Sequence, residues 1–384
     1  MGFVLQNPNG AKSRKVKYYI IAGEASGDLH ASNFVKALKQ KNPSVELRGW
    51  GGDLMQEAGV DVVKHYKELA FMGFLEVAKN IRTILGNFKI CKKDILKYQP
   101  DAVILVDYPG FNLRMAKWLK TNKIKVLYYI SPQIWAWHQS RVKDIRKNVD
   151  RMFVILPFEQ AFYAKYGMEV DFVGHPLLDV VDDYNSQDLP LSGKKMIALL
   201  PGSRKQEINL VLPEMLNVVA HFPDYEFVIA GAPSQSEGFY RKAMSNHALA
   251  QKMPIIFGQT YDILAKADGA LVTSGTATLE AALFEVPQVV CYKGSAISYA
   301  IAKRLVKVDY ISLVNLIAEE EMVKELIQSE LNTKNLVHEL KEILDDVNRP
   351  KIKSDYKRLK KILGNAGASR RLATILDVNT PDEL

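Results

Sequence analysis

Short apolar runs alternate with amphipathic stretches along nearly the whole chain, and this rhythm constrains the fold more than any other feature. Val16–Ala22, Ala102–Asp107, Lys125–Ile130 and Met152–Leu156 are almost wholly apolar and lack the in–out alternation of a half-exposed strand. Strands buried on both faces read this way, so the pattern predicts parallel sheets covered by helices. The first intervening stretch carries Phe34, Val35 and Leu38 at helical spacing and stops at Asn42-Pro43. The polar segment Asp179–Lys195 (DVVDDYNSQDLPLSGKK) breaks the rhythm. The alternation restarts at Met196–Leu200, Glu226–Ala230, Pro254–Phe257, Gly269–Thr273 and Pro287–Tyr292. We therefore expect a linker there and two doubly wound domains, residues 1–180 and 181–384, which the length of 384 residues also favours. After about Asn315 the pattern reads as helical to the end, a tail of the second domain. Doubly wound sheets bind ligands beyond the carboxyl ends of their strands, so two of them in sequence imply a cleft with one substrate held by each half.

The balance of 51 basic against 43 acidic residues leaves a net charge of +8. That excess favours anionic partners (phosphates, nucleic acid or an acidic membrane surface) without choosing among them. Cys91 and Cys291 are the only cysteines, and neither they nor His30, His65, His138 and His175 have metal-ligand spacing. The opening residues lack the apolar core of a signal peptide, and no apolar run reaches the roughly 18 residues of a spanning helix. The sequence thus reads as a soluble or peripheral protein of a reducing compartment.

Five motifs combine a strand end, a turn and polar side chains. In IIAGEASGDLHA (20–31) a strand passes through Gly23, Ser26 and Gly27 into a helix, a place where free N–H groups meet anions or sugar hydroxyls, and Glu24 and Asp28 add carboxylates. It is neither a dinucleotide nor a Walker fingerprint. In VDYPGFNLRMAKWL (106–119) Asp107 follows a buried strand directly; its carboxylate is either a proton acceptor in the cleft or a helix cap. In YYISPQIWAWHQSRVKDIRK (128–147) Trp135 and Trp137 stand in a loop, to stack on a sugar, cover an acyl chain or fill the core. LLPGSRKQEI (199–208) offers Gly202 for close backbone approach, Ser203 as a donor and Arg204 as a planar fork for phosphate. In LVTSGTATLEAALFEVPQVV (271–290) Ser274, Gly275 and Thr276 open a helix suited to a second phosphate, and Glu280, one turn on, is placed to hold a ribose.

Residues 68–97 mix Leu69, Phe71, Met72, Phe74, Leu75 and Val77 with lysines and an arginine further on. Such a segment covers a core or lies on an anionic bilayer, and its composition alone favours the core. Of the histidines, His175 in VGHPLLD is the one nearest to a motif-like setting.

Taken in order, AGEASGD (22–28), LAFMGFLEV (69–77), SPQIWAW (131–137), LPFEQAFYAKYG (156–167), VGHPLLD (173–179), LLPGSR (199–204), SGTATLEAAL (274–283) and AKRLVKVDYISLVNLIA (302–318) resemble the lipid-A-disaccharide synthase family. The resemblance runs from about Tyr18 to about Leu331. It implies an α/β GT-B fold, two Rossmann-like domains facing a cleft, and an inverting transfer from UDP-2,3-diacylglucosamine to 2,3-diacylglucosamine 1-phosphate (lipid X). It implies no cofactor and no metal. UDP would lie in the C-terminal half on Gly202, Ser203, Arg204, Ser274, Gly275, Thr276, Glu280 and Asn315. The acceptor would lie in the N-terminal half, with Asp107 as general base and Glu24 and Asp28 as reserves. Met72, Phe74, Trp135 and Trp137 would face the acceptor or lipid. The resemblance further implies a peripheral protein on the cytoplasmic, anionic face of the inner membrane, with no nucleic-acid partner, and leaves a homodimer open. It turns the reading of 68–97 from core to membrane-facing. Other GT-B enzymes, such as a UDP-sugar epimerase or a muramyl-lipid transferase, and a basic binding module remain the competing readings.

Overall fold

A computed structural model describes residues 15–69, 81–137, 139–182, 184–294 and 309–378. Seven parallel strands form the first sheet in the order β3-β2-β1-β4-β5-β6-β7. They are β1 Lys17–Ala22, β2 Glu46–Gly51, β3 Asp61–His65, β4 Ala102–Val106, β5 Lys125–Tyr129, β6 Arg151–Val154 and β7 Asp171–Phe172. Six parallel strands form the second in the order β10-β9-β8-β11-β12-β13: β8 Lys195–Leu200, β9 Tyr225–Gly231, β10 Ile255–Phe257, β11 Gly269–Thr273, β12 Gln288–Tyr292 and β13 Lys324–Ile327. The central strands β4 and β11 are buried along their whole length, as their unbroken apolar sequences require.

Helices cover both faces of each sheet. On one face of the first, Phe34, Val35 and Leu38 of the Ala25–Lys41 helix pack on Ile20, Ile104 and Leu127; on the other, Phe111, Met115 and Leu119 of the Pro109–Thr121 helix pack on Tyr19, Val103 and Tyr128. A separate buried cluster joins the halves, bringing together Trp135 and Leu156, Leu177 and Leu178 of the Pro176–Asp182 helix, and Leu279, Leu313 and Tyr356.

The chain crosses between the halves twice. Residues 179–182 of the expected linker are the last turn of the Pro176–Asp182 helix, and an irregular stretch leads from there to β8. After the Arg349–Leu363 helix the chain returns, and the Ala368–Val378 helix packs beside Ala25–Lys41. Leu372, Ala373 and Leu376 complete the core of the first sheet, and the Tyr18 hydroxyl donates to the Leu376 carbonyl at 3.0 Å. Asp179 caps this last helix by accepting from the N–H groups of Gly367, Ala368 and Ser369.

The expectation of helix alone after Asn315 is corrected by β13. Its sequence, KELI, has no apolar run because it is an edge strand with a wet face.

Candidate active site

Each sheet reverses its winding once, between β1 and β4 in the first and between β8 and β11 in the second. The segments leaving those four strands are Gly23-Glu24, Asp107-Tyr108, Pro201–Arg204 and Ser274–Thr276, so four of the five motifs stand at the two topological switch points.

In the first half, Glu24 is half-buried at the start of the Ala25–Lys41 helix and makes no side-chain cap to it. Asp107 and Tyr108 are consecutive residues in the left-handed region, with φ of 45° and 49°. Each such residue costs on the order of 1–3 kcal/mol, and such strain collects at functional sites. The Pro109–Thr121 helix starts immediately afterwards with proline at its first position. The Tyr108 ring stacks on Phe111, centroids 5.8 Å apart, and lies over Gly23. Burial and the negative charge of Glu24 push the Asp107 carboxyl up to about 7, against the pull of the Tyr108 N–H that it accepts. Glu24 is raised by its own burial, and the Arg204 guanidinium of the other half pulls it back down. Glu24 therefore feels both Asp107 beside it and Arg204 across the gap between the sheets.

In the second half, Gly202 has φ of 101°, and a Cβ there would meet the Glu207 carboxylate at 2.8 Å. Ser203 and Arg204 are exposed. The Arg204 side chain pairs with Glu207 at 3.0 Å, while its N–H donates to the same carboxylate. An exposed ion pair of this kind contributes little, so a diphosphate can recruit the guanidinium at small cost. Gly275 and Thr276 are exposed at the start of the Thr276–Leu283 helix. Glu280, one turn further, is half-buried and accepts from the Tyr261 hydroxyl at 3.1 Å. Burial raises its carboxyl and the Tyr261 bond opposes the rise. Tyr261 stacks on Phe284, and Tyr184 meets both rings edge-on, making an aromatic wall behind the carboxylate.

Several expected ligands are committed elsewhere. Asp28 is buried and accepts from the N–H groups of Gly52, Leu54 and Met55 at 2.7, 3.2 and 3.1 Å, capping the Asp53–Glu57 helix; it is no reserve base. Asn315 is buried, and its amide bonds the Val323 carbonyl, the Glu325 carboxylate and the N–H groups of Met322 and Val323. These bonds latch the loop at 322–325 to the Leu313–Ala318 helix. Ser274 donates its hydroxyl to the Ile311 carbonyl at 2.7 Å and its N–H to the Cys291 carbonyl, while Gly275 and Thr276 stay exposed. Trp135 is 7% exposed and packs edge-on against Phe158 in the cluster joining the halves, so it fills core rather than meeting an acceptor. Trp137 is described only as the end of the Ile134–Trp137 helix, and Met72 and Phe74 lie outside the described residues. His175 is buried beside His30, and its Nδ1 accepts from the Leu177 N–H.

Two side chains around Asp107 escaped the sequence reading. The Asn112 amide donates to the carbonyls of Ile21, Val106 and Asp107, and the Tyr128 hydroxyl donates to the Asp107 carbonyl at 2.7 Å. The one signal for them is position, one helical turn into the motif for Asn112 and the neighbouring strand for Tyr128. Among the described residues, no group of three or more His, Cys, Asp or Glu side chains is placed to hold a metal ion.

The lipid-A-disaccharide synthetase family profile matches residues 18–377. The chain is 42% identical to the lipid-A-disaccharide synthase of Syntrophus aciditrophicus over 367 residues, covering 93% of this chain and 96% of that one. It is 38% identical to that of Geobacter sulfurreducens over 368 residues, covering 93% and 95%. Among solved structures it resembles the UDP-GlcNAc 2-epimerase of Neisseria meningitidis bound to UDP-GlcNAc, with a TM-score of 0.64 and 14% identity over 95% of this chain and 100% of the other. The glycosyltransferase of kitacinnamycin gives a TM-score of 0.64 and 13% identity over 95% and 99%. At such identities these structures establish the architecture, the GT-B arrangement of two facing α/β halves.

Proposed function

The chain belongs to the lipid-A-disaccharide synthetase family, and from that premise we propose a single displacement with inversion in the cleft between its two sheets. It is a glycosyltransferase that makes the lipid A disaccharide. In our reading the donor is UDP-2,3-diacylglucosamine and the acceptor is 2,3-diacylglucosamine 1-phosphate. The acceptor 6-hydroxyl attacks the anomeric carbon, its proton passes to the Asp107 carboxylate, and the bond to UDP breaks. Arg204 and the N–H groups of Gly275 and Thr276 take up the charge growing on the diphosphate. Glu280 holds the ribose hydroxyls. Residues up to about 182, with the returning 368–378 helix, form the acceptor half, and the second sheet forms the donor half.

One observation carries this reading: Glu24, which raises its neighbour Asp107 at the switch point of the first sheet, lies within electrostatic reach of Arg204 at the switch point of the second. A base and an anion clamp on opposite walls are what a two-substrate displacement needs. An Asp107 carboxyl raised to about 7 is also better matched to a hydroxyl proton than an ordinary carboxylate.

The donor, the acceptor and the disaccharide product all carry acyl chains, so a membrane surface is part of the reading. No helix among the described residues is long and apolar enough to cross a membrane. The Ile81–Tyr98 helix instead exposes Leu85 (53%), Ile90 (54%) and Leu96 (54%) among Lys89, Lys93 and Lys97. Apolar side chains between lysines suit an interface carrying anionic headgroups.

The test is a thin-layer assay of the purified protein with radiolabelled donor and lipid X in detergent, with EDTA present. A disaccharide 1-phosphate with released UDP supports donor, acceptor and a reaction needing no added metal. UDP binding without that product sends the search to another acceptor, and no UDP binding overturns the proposal.

A further inference from the structure

We propose that Asn112 and Tyr128 are positioning residues, which clamp the main chain of Asp107 so that its carboxylate stays turned into the cleft. The proposal rests on Asp107 being the base. It is carried by the fact that both hydrogen-bonding groups of that residue's main chain are held, the N–H by β5 and the carbonyl by β5 and the Pro109–Thr121 helix together. The Asp107 N–H donates to the Tyr129 carbonyl at 3.0 Å; its carbonyl accepts from Asn112 Nδ2 at 2.8 Å and from the Tyr128 hydroxyl at 2.7 Å.

A left-handed aspartate followed by a left-handed tyrosine does not hold its shape unaided. Released, the pair would relax toward ordinary dihedrals and swing the carboxylate away from the switch point. The two donors act on one oxygen from β5 and from the first turn of the Pro109–Thr121 helix, so neither can let it turn while the other stays.

Asn112 does more than bond the loop. It is 0% exposed, and the same Nδ2 also reaches the Ile21 and Val106 carbonyls, at 3.3 and 3.2 Å. Those residues lie near the carboxyl ends of β1 and β4, where Glu24 and Asp107 emerge. One amide therefore sets the spacing of the strands that present the two carboxylates. Its Oδ1 has no hydrogen-bond partner although it is buried. Leaving an acceptor unpaired in the core is unfavourable, so the residue is held for its donor end. Tyr128 is fully buried apart from this bond, and an apolar ring would fill its place in the core as well.

The test measures kcat, donor KM and the pH profile of kcat for full-length Tyr128→Phe and Asn112→Ser. Tyr19→Phe serves as a control, because it removes a buried hydroxyl bonded to Asp94 in the same sheet, away from the cleft. We expect Tyr128→Phe to fold and to lose about tenfold in kcat with donor KM nearly unchanged. Its acid limb should move below that of the wild type, because a loosened loop solvates the carboxylate and separates it from Glu24. Asn112→Ser should shift the limb the same way with a larger loss. An unmoved limb and wild-type kcat in Tyr128→Phe, with Asp107→Asn inactive, would overturn the clamp and leave the base standing. An equal shift in Tyr19→Phe would also overturn it, since general loosening would then explain the effect. Near-normal turnover in Asp107→Asn would sink the base assignment itself, and the clamp with it.

Discussion

The Tyr108 ring lies so close over Gly23 that a Cβ at residue 23 would sit 2.2 Å from its Cδ1. This pairing couples the two loops of the first switch point, one bearing Glu24 and the other Asp107. Gly23→Ala must push the ring away and disturb the Asp107-Tyr108 turn. We expect a loss of about 1–3 kcal/mol in stability, as for other overpacking changes, with kcat falling at least tenfold. Urea unfolding and steady-state kinetics on the same preparation check both, and unchanged kinetics would separate Tyr108 from the site.

Asp107 also predicts a stability slope. Its carboxyl is raised to about 7 in the folded chain, against about 3.9 unfolded. The folded state keeps a proton that the unfolded state has already released, so this group's contribution is present below about pH 4 and lost as pH rises through 7. Asp107→Asn removes that slope. Relative to wild type, the variant should gain roughly 1–3 kcal/mol between pH 5 and pH 8 while losing turnover. Denaturation midpoints at the two pH values measure it, and a constant difference would place the carboxyl in ordinary solvent.

His30 and His175 give a slope of opposite sign. Burial holds them at about 4 and about 3, with the Asp179 charge opposing the drop in His30 and the His30 charge deepening that in His175. Both are neutral when folded, whereas an unfolded histidine takes its proton near 6.5. Their contribution is therefore full above 6.5 and lost as pH falls toward 4. In His175→Asn, whose amide oxygen can still accept from Leu177, the acid-side loss between pH 6.5 and 4.5 should shrink by about 1–2 kcal/mol. Melting curves across that range decide it.

The exposed face of the Ile81–Tyr98 helix predicts how the protein meets lipid. Replacing Leu85 and Leu96 by serine and Lys89 and Lys93 by glutamate should weaken sedimentation with anionic vesicles more than tenfold, at about 1 kcal/mol per basic residue lost. Turnover on short-chain substrates in detergent should remain near wild type. Undiminished vesicle binding would move the lipid-facing surface to another part of the chain.

The strands legible in the sequence were those with an unbroken apolar run: the middle strands such as AVILV at β4 and GALVT at β11, buried on both faces, and the edge strand β10, whose IIF is apolar throughout. Those missed were β2, broken by glycines and an arginine, and the edge strands β3, β7 and β13, whose outer sides are wet. The motifs at the switch points were legible as strand–turn–helix punctuation. The hydrogen bonds that occupy Asp28 and Asn315 were not legible, because their partners are distant or unmarked in sequence: backbone N–H groups at 52–55 for one, a carbonyl, a carboxylate and N–H groups at 322–325 for the other. An aspartate that caps a neighbouring helix and one that awaits a substrate read alike until the neighbour is in place. The bonds from Asn112 and Tyr128 to Asp107 were hidden for the same reason.

The return of residues 368–378 to the first sheet has a mechanical consequence. Residues 15 and 378 both lie on the first half, so a pull between them is borne by the contact of the last helix with Ala25–Lys41 and by the bond from Tyr18 to Leu376. The whole second half hangs as a slack loop behind that contact. It takes up tension only once the last helix has peeled away, so under force the protein should open first at its seam and extend the donor half second.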